Sequence, residues 1–387
     1  MKRILSFTFV AWALVSCTCS NSGPCAPNPQ PDPIEEQLSA MTLREKVGQL
    51  FCVRPESFDT ALEWDTYEKV ASYQLREVTP QMLKVNAEYP VGGIILFAHN
   101  IDNPDQLDTL VKHLKAFNGS PLLYIDEEGG RVARIANNDN FQVKKYVSMG
   151  AIGQTGDPAN AYECGHTIGT YLKRYGLDVD LAPVADVNTN PRNPVIGPRA
   201  FSDDPKLAAK MVVQYLMGLK KAGVAGCVKH FPGHGDTQTD THFGYAQTGK
   251  TWEEMLSCEM VPFKAAIDNG VPMVMTAHIA APAVTGTNEP ATLSPVILTD
   301  KLRKELGFNG VIITDGMSMG AITRQYTPAQ ATLLSLQAGA DIVLGPKDFM
   351  PAFDAVVAAV ERDSTLTEAR IDESVRRILK LKAQIRQ

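Results

Sequence analysis

The strongest constraint on the fold is a series of eight short, nearly continuous apolar runs separated by amphipathic segments. The runs are VGQLFCV, VGGIILFAHN, PLLYIDEEGG, LDVDLAPVADVN, GVAGCVKHFPG, GVPMVMTAHI, GVIITDGMSM and GADIVLGP. Such runs are typical of strands buried on both faces, as parallel sheets require. Eight of them with helices between predict the α/β class and a single (β/α)8 TIM-type barrel, whose usual size this chain matches. A doubly wound open sheet is the rival, but no GxGxxG turn follows the first strand.

Helix boundaries are marked between these runs. Asn103 and Pro104 offer a cap and a first-turn proline, and apolar residues follow at helical spacing. Asp204 and Pro205 begin another helix in the same way, and Gly223 is its predicted end. The pattern therefore predicts helices in the positions that a barrel of alternating strands and helices requires.

The N-terminus is a separate segment. Lys2 and Arg3 precede the apolar run ILSFTFVAWALV, which is too short to span a bilayer but suits a secretory signal. Because LVSC at its end resembles a bacterial lipobox, we predict a lipoprotein signal peptide at 1–16 and a lipid anchor at Cys17, with simple cleavage and free secretion as the alternative. The Pro/Ser-rich segment 17–37 is predicted to be a flexible tether, and 38–387 the barrel. The expected location is the bacterial cell envelope, on its periplasmic or surface face, with no other membrane contact.

Composition excludes some classes of protein. The net charge of −6 argues against nucleic acid as a partner, because such binders carry a basic face. Cys52, Cys164, Cys227 and Cys258 are scattered without CxxC spacing, which excludes a zinc ribbon and favours buried free thiols. We expect a monomer.

Polar residues cluster at the C-terminal ends of the apolar runs, where barrel enzymes assemble their active sites. They are Asp126, Asp186, Lys229, His230, His278 and Asp315. Asp315 could act as a nucleophile, or it could cap the next helix. DEEGGRVAR, from Asp126 to Arg134, could bind substrate hydroxyls or be a solvated turn. The loop NPRNPVIGPRAF contains Arg199, and its length favours a functional role over an idle excursion.

The segment KHFPGHGDTQTDTH, residues 229–242, is predicted to be a loop because Pro232, Gly233 and Gly235 disrupt regular structure. One interpretation is a metal site, with His230, His234 and His242 as ligands and Asp236 or Asp240 in support. The spacing does not match familiar zinc motifs. The other is acid/base chemistry by Asp240 and His242, since a nearby aspartate fixes the imidazole tautomer.

Several of these motifs together resemble the β-N-acetylglucosaminidases of glycoside hydrolase family 3. They are KHFPGHGD with the DTH triplet, DEEGGRVAR, NPVIGPRAF, LAPVADVNTNPRNP and ITDGMSM, and the resemblance extends from MTLREKVGQLF to RIDESVRRILKLK. It implies a TIM-type barrel that removes terminal β-linked N-acetylglucosamine with retention of configuration. The expected partner is a glycan that contains this sugar, such as a muropeptide.

The resemblance also implies roles for individual residues. Asp315 would be the nucleophile, His242 the general acid/base and Asp240 its partner. The residues implied to hold the sugar are Asp126, Arg134, Arg199, Lys229 and His230. No metal or organic cofactor is implied, and the chain is expected to form one domain.

A histidine differs from the second carboxylate that retaining glycosidases usually use. It titrates near neutrality and can both protonate a leaving group and activate water. Since it is neutral after it loses its proton, it does not repel an anion, and phosphorolysis remains an alternative. A metal-dependent hydrolase and a sugar-binding lipoprotein on an inactive barrel are the other rivals.

Overall fold

The computed structural model describes residues 32–61, 73–237, 246–362 and 366–386. Within them, one sheet has eight strands: β1 (Phe51–Val53), β2 (Gly93–Leu96), β3 (Leu122–Ile125), β4 (Val179–Asp180), β5 (Ala225–Phe231), β7 (Met273–Thr276), β9 (Val311–Ile313) and β10 (Val343–Leu344). A separate pair consists of β6 (Ala246–Gln247) and β8 (Ile279–Ala280). Each strand of the large sheet falls within one of the eight predicted runs.

The large sheet forms a barrel. Its strands pair in parallel in the order β10-β1-β2-β3-β4-β5-β7-β9. A parallel bridge between Ile313 and Ile342 joins the two ends of this order. The predicted TIM-type barrel is therefore confirmed. In this fold the carboxyl ends of all strands meet at one mouth, which brings together residues that are distant in sequence.

The helices surround the strands. The α-helices are Pro33–Ala40, Leu43–Gln49, Pro80–Glu88, Pro104–Leu114, Met149–Gly153, Pro158–Arg174, Pro205–Ala222, Trp252–Ser257, Met260–Asp268, Pro282–Thr285, Gly320–Thr323, Pro328–Ala338, Phe349–Glu361 and Glu368–Arg386. A π-helix spans Val296–Glu305, and short 3-10 helices span Pro55–Phe58, Ala98–Asn100, Gly197–Arg199 and Ala291–Leu293.

The predicted helix caps are confirmed. The Asn103 side chain accepts a hydrogen bond from the Gln106 amide, and Asp204 caps its helix in the same way. Gly223 ends the second helix with φ 81°, a left-handed conformation that glycine adopts without a Cβ clash.

The strands are buried on both faces. Tyr124, Cys227 and Ile313 belong to a cluster formed by alternate residues of the barrel strands. Their chain neighbours, such as Leu123 and Val228, belong instead to a larger cluster that the helices share. Successive strand side chains point to opposite faces, so the first cluster fills the barrel and the second packs between strands and helices.

Strand β5 continues further than the sequence predicts. It ends at Phe231, so the expectation of a loop is wrong for Lys229, His230 and Phe231. The Lys229 carbonyl accepts from the Ala185 amide at 2.7 Å, and the Phe231 carbonyl accepts from Ala277 at 2.7 Å. Pairing with both neighbouring strands keeps these three residues extended until Pro232 interrupts the pattern.

A described helix overlaps the end of the predicted tether. Pro33–Ala40 is a helix, its Leu38 side chain is buried, and Glu35 pairs with Arg376 of the last helix at 2.9 Å. Residues 33–37 therefore belong to a helix that packs on the barrel. The predicted signal peptide and Cys17 lie outside the described residues, as do Cys19 and Cys25.

Two further findings concern the described part of the chain. None of its helices is long and apolar enough to cross a membrane. Cys52, Cys164 and Cys227 are buried free thiols, as predicted, and Cys258 is a free thiol that is only partly buried.

Candidate active site

Three charged residues lie together at the mouth of the barrel. Asp126, Lys229 and Asp315 each come two residues after a side chain of the interior cluster, so strand alternation directs them toward the same axis. All three residues affect the pKa of the buried Cys227 thiol. Burial raises its pKa, Lys229 lowers it, and the carboxylates of Asp126 and Asp315 raise it. Two predicted binding residues and the predicted nucleophile therefore all lie near enough to this thiol to affect its pKa.

Lys229 is the centre of a buried ion network. Its side chain is 3% exposed, and Nζ lies 2.8 Å from Asp126 Oδ1 and 2.6 Å from Glu128 Oε1. Asp126 also receives Arg134 Nη2 at 3.4 Å, and that guanidinium lies over the Phe97 ring. The ammonium group therefore connects strand β5 with the loop that follows β3.

Glu128 extends the network to Arg199. Arg199 donates from Nε to Oε2 at 2.8 Å and from Nη2 to Oε1 at 2.7 Å, a bidentate arrangement that fixes the guanidinium plane. The same Nη2 lies 3.4 Å from His230 Nε2. All five predicted binding residues are thus brought together. Their contacts with a sugar stay a prediction.

The network keeps its members charged. Burial alone would raise the pKa of Glu128, but Arg199 and Lys229 outweigh it and hold that pKa well below the usual value. The same competition lowers the pKa of Asp126, through Lys229 and Arg134. Burial acts to lower the pKa of Lys229, yet Asp126 and Glu128 raise it overall. The group is therefore a set of fixed donors and acceptors across the neutral pH range.

Asp186 orients His230. Its Oδ2 lies 2.7 Å from His230 Nδ1, and its Oδ1 accepts the His234 amide at 2.6 Å. Because a carboxylate accepts, Nδ1 carries the hydrogen, and Nε2 is left to accept from Arg199. Burial acts to raise the pKa of Asp186, but His230 and His234 together lower it by more. The pKa therefore lies below its usual value, and the carboxylate stays ionised. This is the aspartate–histidine geometry that the sequence suggested for Asp240 and His242.

A buried acid supports the loop that carries Arg134. Both carboxylate oxygens of Glu127 accept hydrogen bonds, from the backbone amides of Arg134, Ile135 and Ala136 at 2.5–3.0 Å. The Tyr171 hydroxyl donates to the same carboxylate at 2.8 Å. These bonds fold the loop back toward the barrel and hold the Arg134 backbone beside Asp126.

Sequence reasoning did not assign a role to Glu128 or Asp186. Glu128 follows Asp126 by two residues, which is the spacing of side chains on one face of an extended chain. Asp186 stands at the end of an apolar run, as the other site residues do. Both signals were present, but the partners, Arg199 and His230, are 71 and 44 residues away in sequence.

Asp315 lies on the turn after β9. Its side chain is partly exposed, and its Oδ1 accepts the backbone amide of Gly316 at 2.7 Å. Its carboxylate is also close enough to affect His234. Burial and His230 lower the pKa of that histidine, whereas Asp186 and Asp315 act in the opposite direction.

Asp240 and His242 lie outside the described residues. The residues that flank their segment are fixed at the mouth of the barrel. On one side the Thr237 carbonyl accepts from Asn190 Nδ2 at 3.1 Å. On the other side Ala246 pairs with Ile279.

The histidines of the metal hypothesis are engaged with protein groups where they are described. His230 Nδ1 is bonded to Asp186, and His234 Nδ1 lies 2.5 Å from Thr237 Oγ1. Among the residues that the structure describes, no three His, Cys, Asp or Glu side chains are grouped so that they could hold a metal ion. Asp236 instead faces the Lys250 ammonium at 3.7 Å.

The barrel with charged residues at its mouth matches a known class. Residues 42–381 match the family described as Glycosyl hydrolase family 3 N terminal domain, and the chain therefore belongs to glycoside hydrolase family 3. The resemblance inferred from the motifs is confirmed.

Three relatives illustrate the similarity within this family. The chain is 34% identical over 334 residues to Beta-hexosaminidase A of Pseudoalteromonas piscicida, covering 80% of this chain and 56% of that protein. It is 34% identical over 295 residues to the Beta-hexosaminidase of Nitrosomonas eutropha, covering 75% of this chain and 83% of that protein. A solved family 3 beta-N-acetylglucosaminidase from Paenibacillus sp. str. FPU-7 is similar with a TM-score of 0.81 and 37% identity, over 90% of this chain and 63% of that one.

The network predicts a large effect of removing one charge. Glu128→Gln removes the one carboxylate that pairs with both Arg199 and Lys229. We expect the free energy of unfolding to fall by about 3–5 kcal/mol, since a buried charge loses its partner. Urea denaturation of the purified protein measures this change.

Glu163→Gln is the matched control, because Glu163 pairs with Lys144 at 2.6 Å on the surface. Its unfolding midpoint should stay close to that of the unmodified protein, as exposed ion pairs contribute little. Equal shifts in the two variants would contradict the central position of Glu128.

Proposed function

We propose that the protein is a retaining exo-β-N-acetylglucosaminidase that hydrolyses terminal β-linked N-acetylglucosamine from muropeptides or related glycans. The observation that carries the proposal is that the Lys229–Asp126 pair, 2.8 Å apart, and Asp315 all follow interior residues at the same end of the barrel strands. The names of the relatives, beta-hexosaminidase and beta-N-acetylglucosaminidase, support the same activity and sugar.

The binding network suits an uncharged, hydroxylated ligand. Its cations and carboxylates are already paired with one another, so a neutral sugar needs to bring no counter-charge. Asp126 is partly exposed and can accept a hydroxyl hydrogen, while Arg134 and Arg199 can donate. The proposed sugar position is above Lys229, between Asp126 and His230.

The chemistry then follows in two steps. In the first, Asp315 attacks the anomeric carbon, the glycosidic C–O bond breaks, and His242 donates its proton to the departing oxygen. In the second, the now neutral His242 accepts a proton from water, whose oxygen attacks the same carbon and releases the Asp315 carboxylate. Two inversions give net retention. Asp240 is the proposed partner that orients His242.

Removal of the nucleophile tests the proposal. Asp315→Ala should abolish turnover of an aryl N-acetylglucosaminide, a loss on the order of 10³-fold or more, because no covalent intermediate can form. The assay is aryl alcohol release by equal amounts of folded protein. Asp268→Ala, which removes a surface partner of Lys264, is the control and should keep full activity. Near-normal turnover by Asp315→Ala would refute the assignment.

The acid role of His242 has a different signature. In His242→Ala, substrates with poor leaving groups should slow far more than activated aryl substrates, since the latter leave without protonation. A series of aryl N-acetylglucosaminides with leaving groups of increasing pKa measures this as a steeper dependence of kcat/KM. The same loss for every leaving group would argue against general acid catalysis by this residue.

The rival activities are separated by simple additions to the assay. Phosphorolysis predicts formation of N-acetylglucosamine 1-phosphate when phosphate is present, whereas hydrolysis gives the free sugar under all conditions. A metal-dependent hydrolase predicts loss of activity after exhaustive treatment with EDTA. A sugar-binding protein on an inactive barrel predicts binding of N-acetylglucosamine without turnover of any aryl glycoside in a panel.

For location, we propose attachment to the bacterial cell envelope through a lipid on Cys17. Support comes from Lys2 and Arg3, the short apolar run and the lipobox-like LVSC sequence. Cys17→Ala should move the full-length protein from the membrane fraction to the soluble fraction when both forms are expressed in bacteria. Unchanged fractionation would rule out the anchor.

A further inference from the structure

We propose that His278 is a positioning residue for the Asp315 carboxylate and acts through the carbonyl group of Gly316. The inference rests on the proposed function, in which Asp315 is the nucleophile. His278 stands at the end of the apolar run that contains β7, next to the other site residues, but the reaction itself gives it no task.

The geometry fixes which atom of His278 acts. The side chain is buried, with the residue 1% exposed, and its Nε2 lies 2.9 Å from the Gly316 carbonyl oxygen. Because a carbonyl group can only accept, Nε2 carries a hydrogen and donates it. The contact joins strand β7 to the turn after β9, 38 residues further along the chain.

A chain of buried hydroxyl groups fixes the other ring nitrogen. His278 Nδ1 lies 2.9 Å from Thr292 Oγ1, and Thr292 Oγ1 lies 2.7 Å from Thr276 Oγ1. All three side chains are buried. Thr292 Oγ1 also lies 2.9 Å from the Ala277 carbonyl oxygen, to which its hydroxyl group donates. The imidazole is therefore held at both ring nitrogens.

The peptide group between Gly316 and Met317 is held on both sides. His278 binds its carbonyl oxygen, and its amide donates to the Leu344 carbonyl at 2.8 Å. The preceding amide, of Gly316, donates to Asp315 Oδ1 at 2.7 Å. Hydrogen bonds from two sides therefore hold the turn in place, and the turn orients the Asp315 carboxylate.

Loss of the hydrogen bond from His278 to Gly316 should affect the chemical step more than substrate binding. In the proposed function the sugar is held by the network around Lys229, whereas the Nε2 contact of His278 is with the turn that carries Asp315. If the nucleophile is displaced by up to about 1 Å, the substrate can still bind, but the attack on the anomeric carbon becomes slower. The expected signature is a lower kcat with a nearly constant KM.

Two conservative variants separate the two ring nitrogens. In His278→Gln the side-chain amide can occupy the Nε2 position and still donate to Gly316. In His278→Asn the amide reaches only the Nδ1 position, beside Thr292, and the contact with Gly316 is lost. Both variants remove the ring, so a merely structural role would lower Tm without a specific loss of kcat at temperatures where the protein is folded.

The experiment measures kcat, KM and Tm for both variants with an aryl N-acetylglucosaminide. We expect His278→Asn to lower kcat on the order of 10- to 100-fold, with KM changed by no more than about threefold. His278→Gln should recover most of the loss, and the kcat deficit of His278→Asn should persist at temperatures well below its Tm. Equal kcat values in the two variants would overturn the inference.

Labelling of the nucleophile keeps this result separate from the proposed function. A slow fluorinated glycosyl inhibitor, followed by peptide mapping, should label Asp315 in the unmodified protein and label it more slowly in His278→Asn. Label on another residue of the unmodified protein would defeat the proposed nucleophile. Label on Asp315 at the same rate in both proteins would defeat only the positioning role.

Discussion

The site depends on the compensation of one buried cation. Lys229 lies inside the barrel mouth, where an unpaired ammonium group would be strongly unfavourable. Asp126 and Glu128 remove that penalty and in turn pair with Arg134 and Arg199, and the Asp186 carboxylate adds a further negative charge near Arg199. Each charged group of this network therefore needs its neighbour of opposite charge. This mutual requirement joins the loops after β3 and β4 to strand β5 and gives the mouth a fixed shape.

The fold was largely predictable because the signals for it are local. Continuous apolar runs identified all eight barrel strands, and caps such as Asn103 and Asp204 located helices to the residue. The exceptions have tertiary causes. Phe231 stays in a strand because its carbonyl is paired with β7, and the helix at Pro33–Ala40 packs against the distant last helix. Neither partner is visible within a short window of sequence.

Site residues were predictable to the extent that barrel topology gathers them. Asp126, Lys229 and Asp315 share the mouth because each lies at or near the C-terminal end of a strand, which the sequence pattern reveals. The residues that orient them were not assigned, since Glu128, Asp186 and His278 act through contacts with residues 38 to 71 positions away. Hydrogen-bond direction, tautomer and bidentate geometry are properties of pairs, and one sequence gives only one member of each pair at a time.

The pinned turn after β9 has a consequence for how such an enzyme can change. The proposed covalent step depends on a carboxylate on the turn after β9, while the proposed proton donor belongs to the connecting segment between Thr237 and Ala246. These two halves of the reaction can therefore be altered separately. Substitutions in the connecting segment could favour a different acceptor, water or another nucleophile, while the residues proposed to bind the sugar stay unchanged.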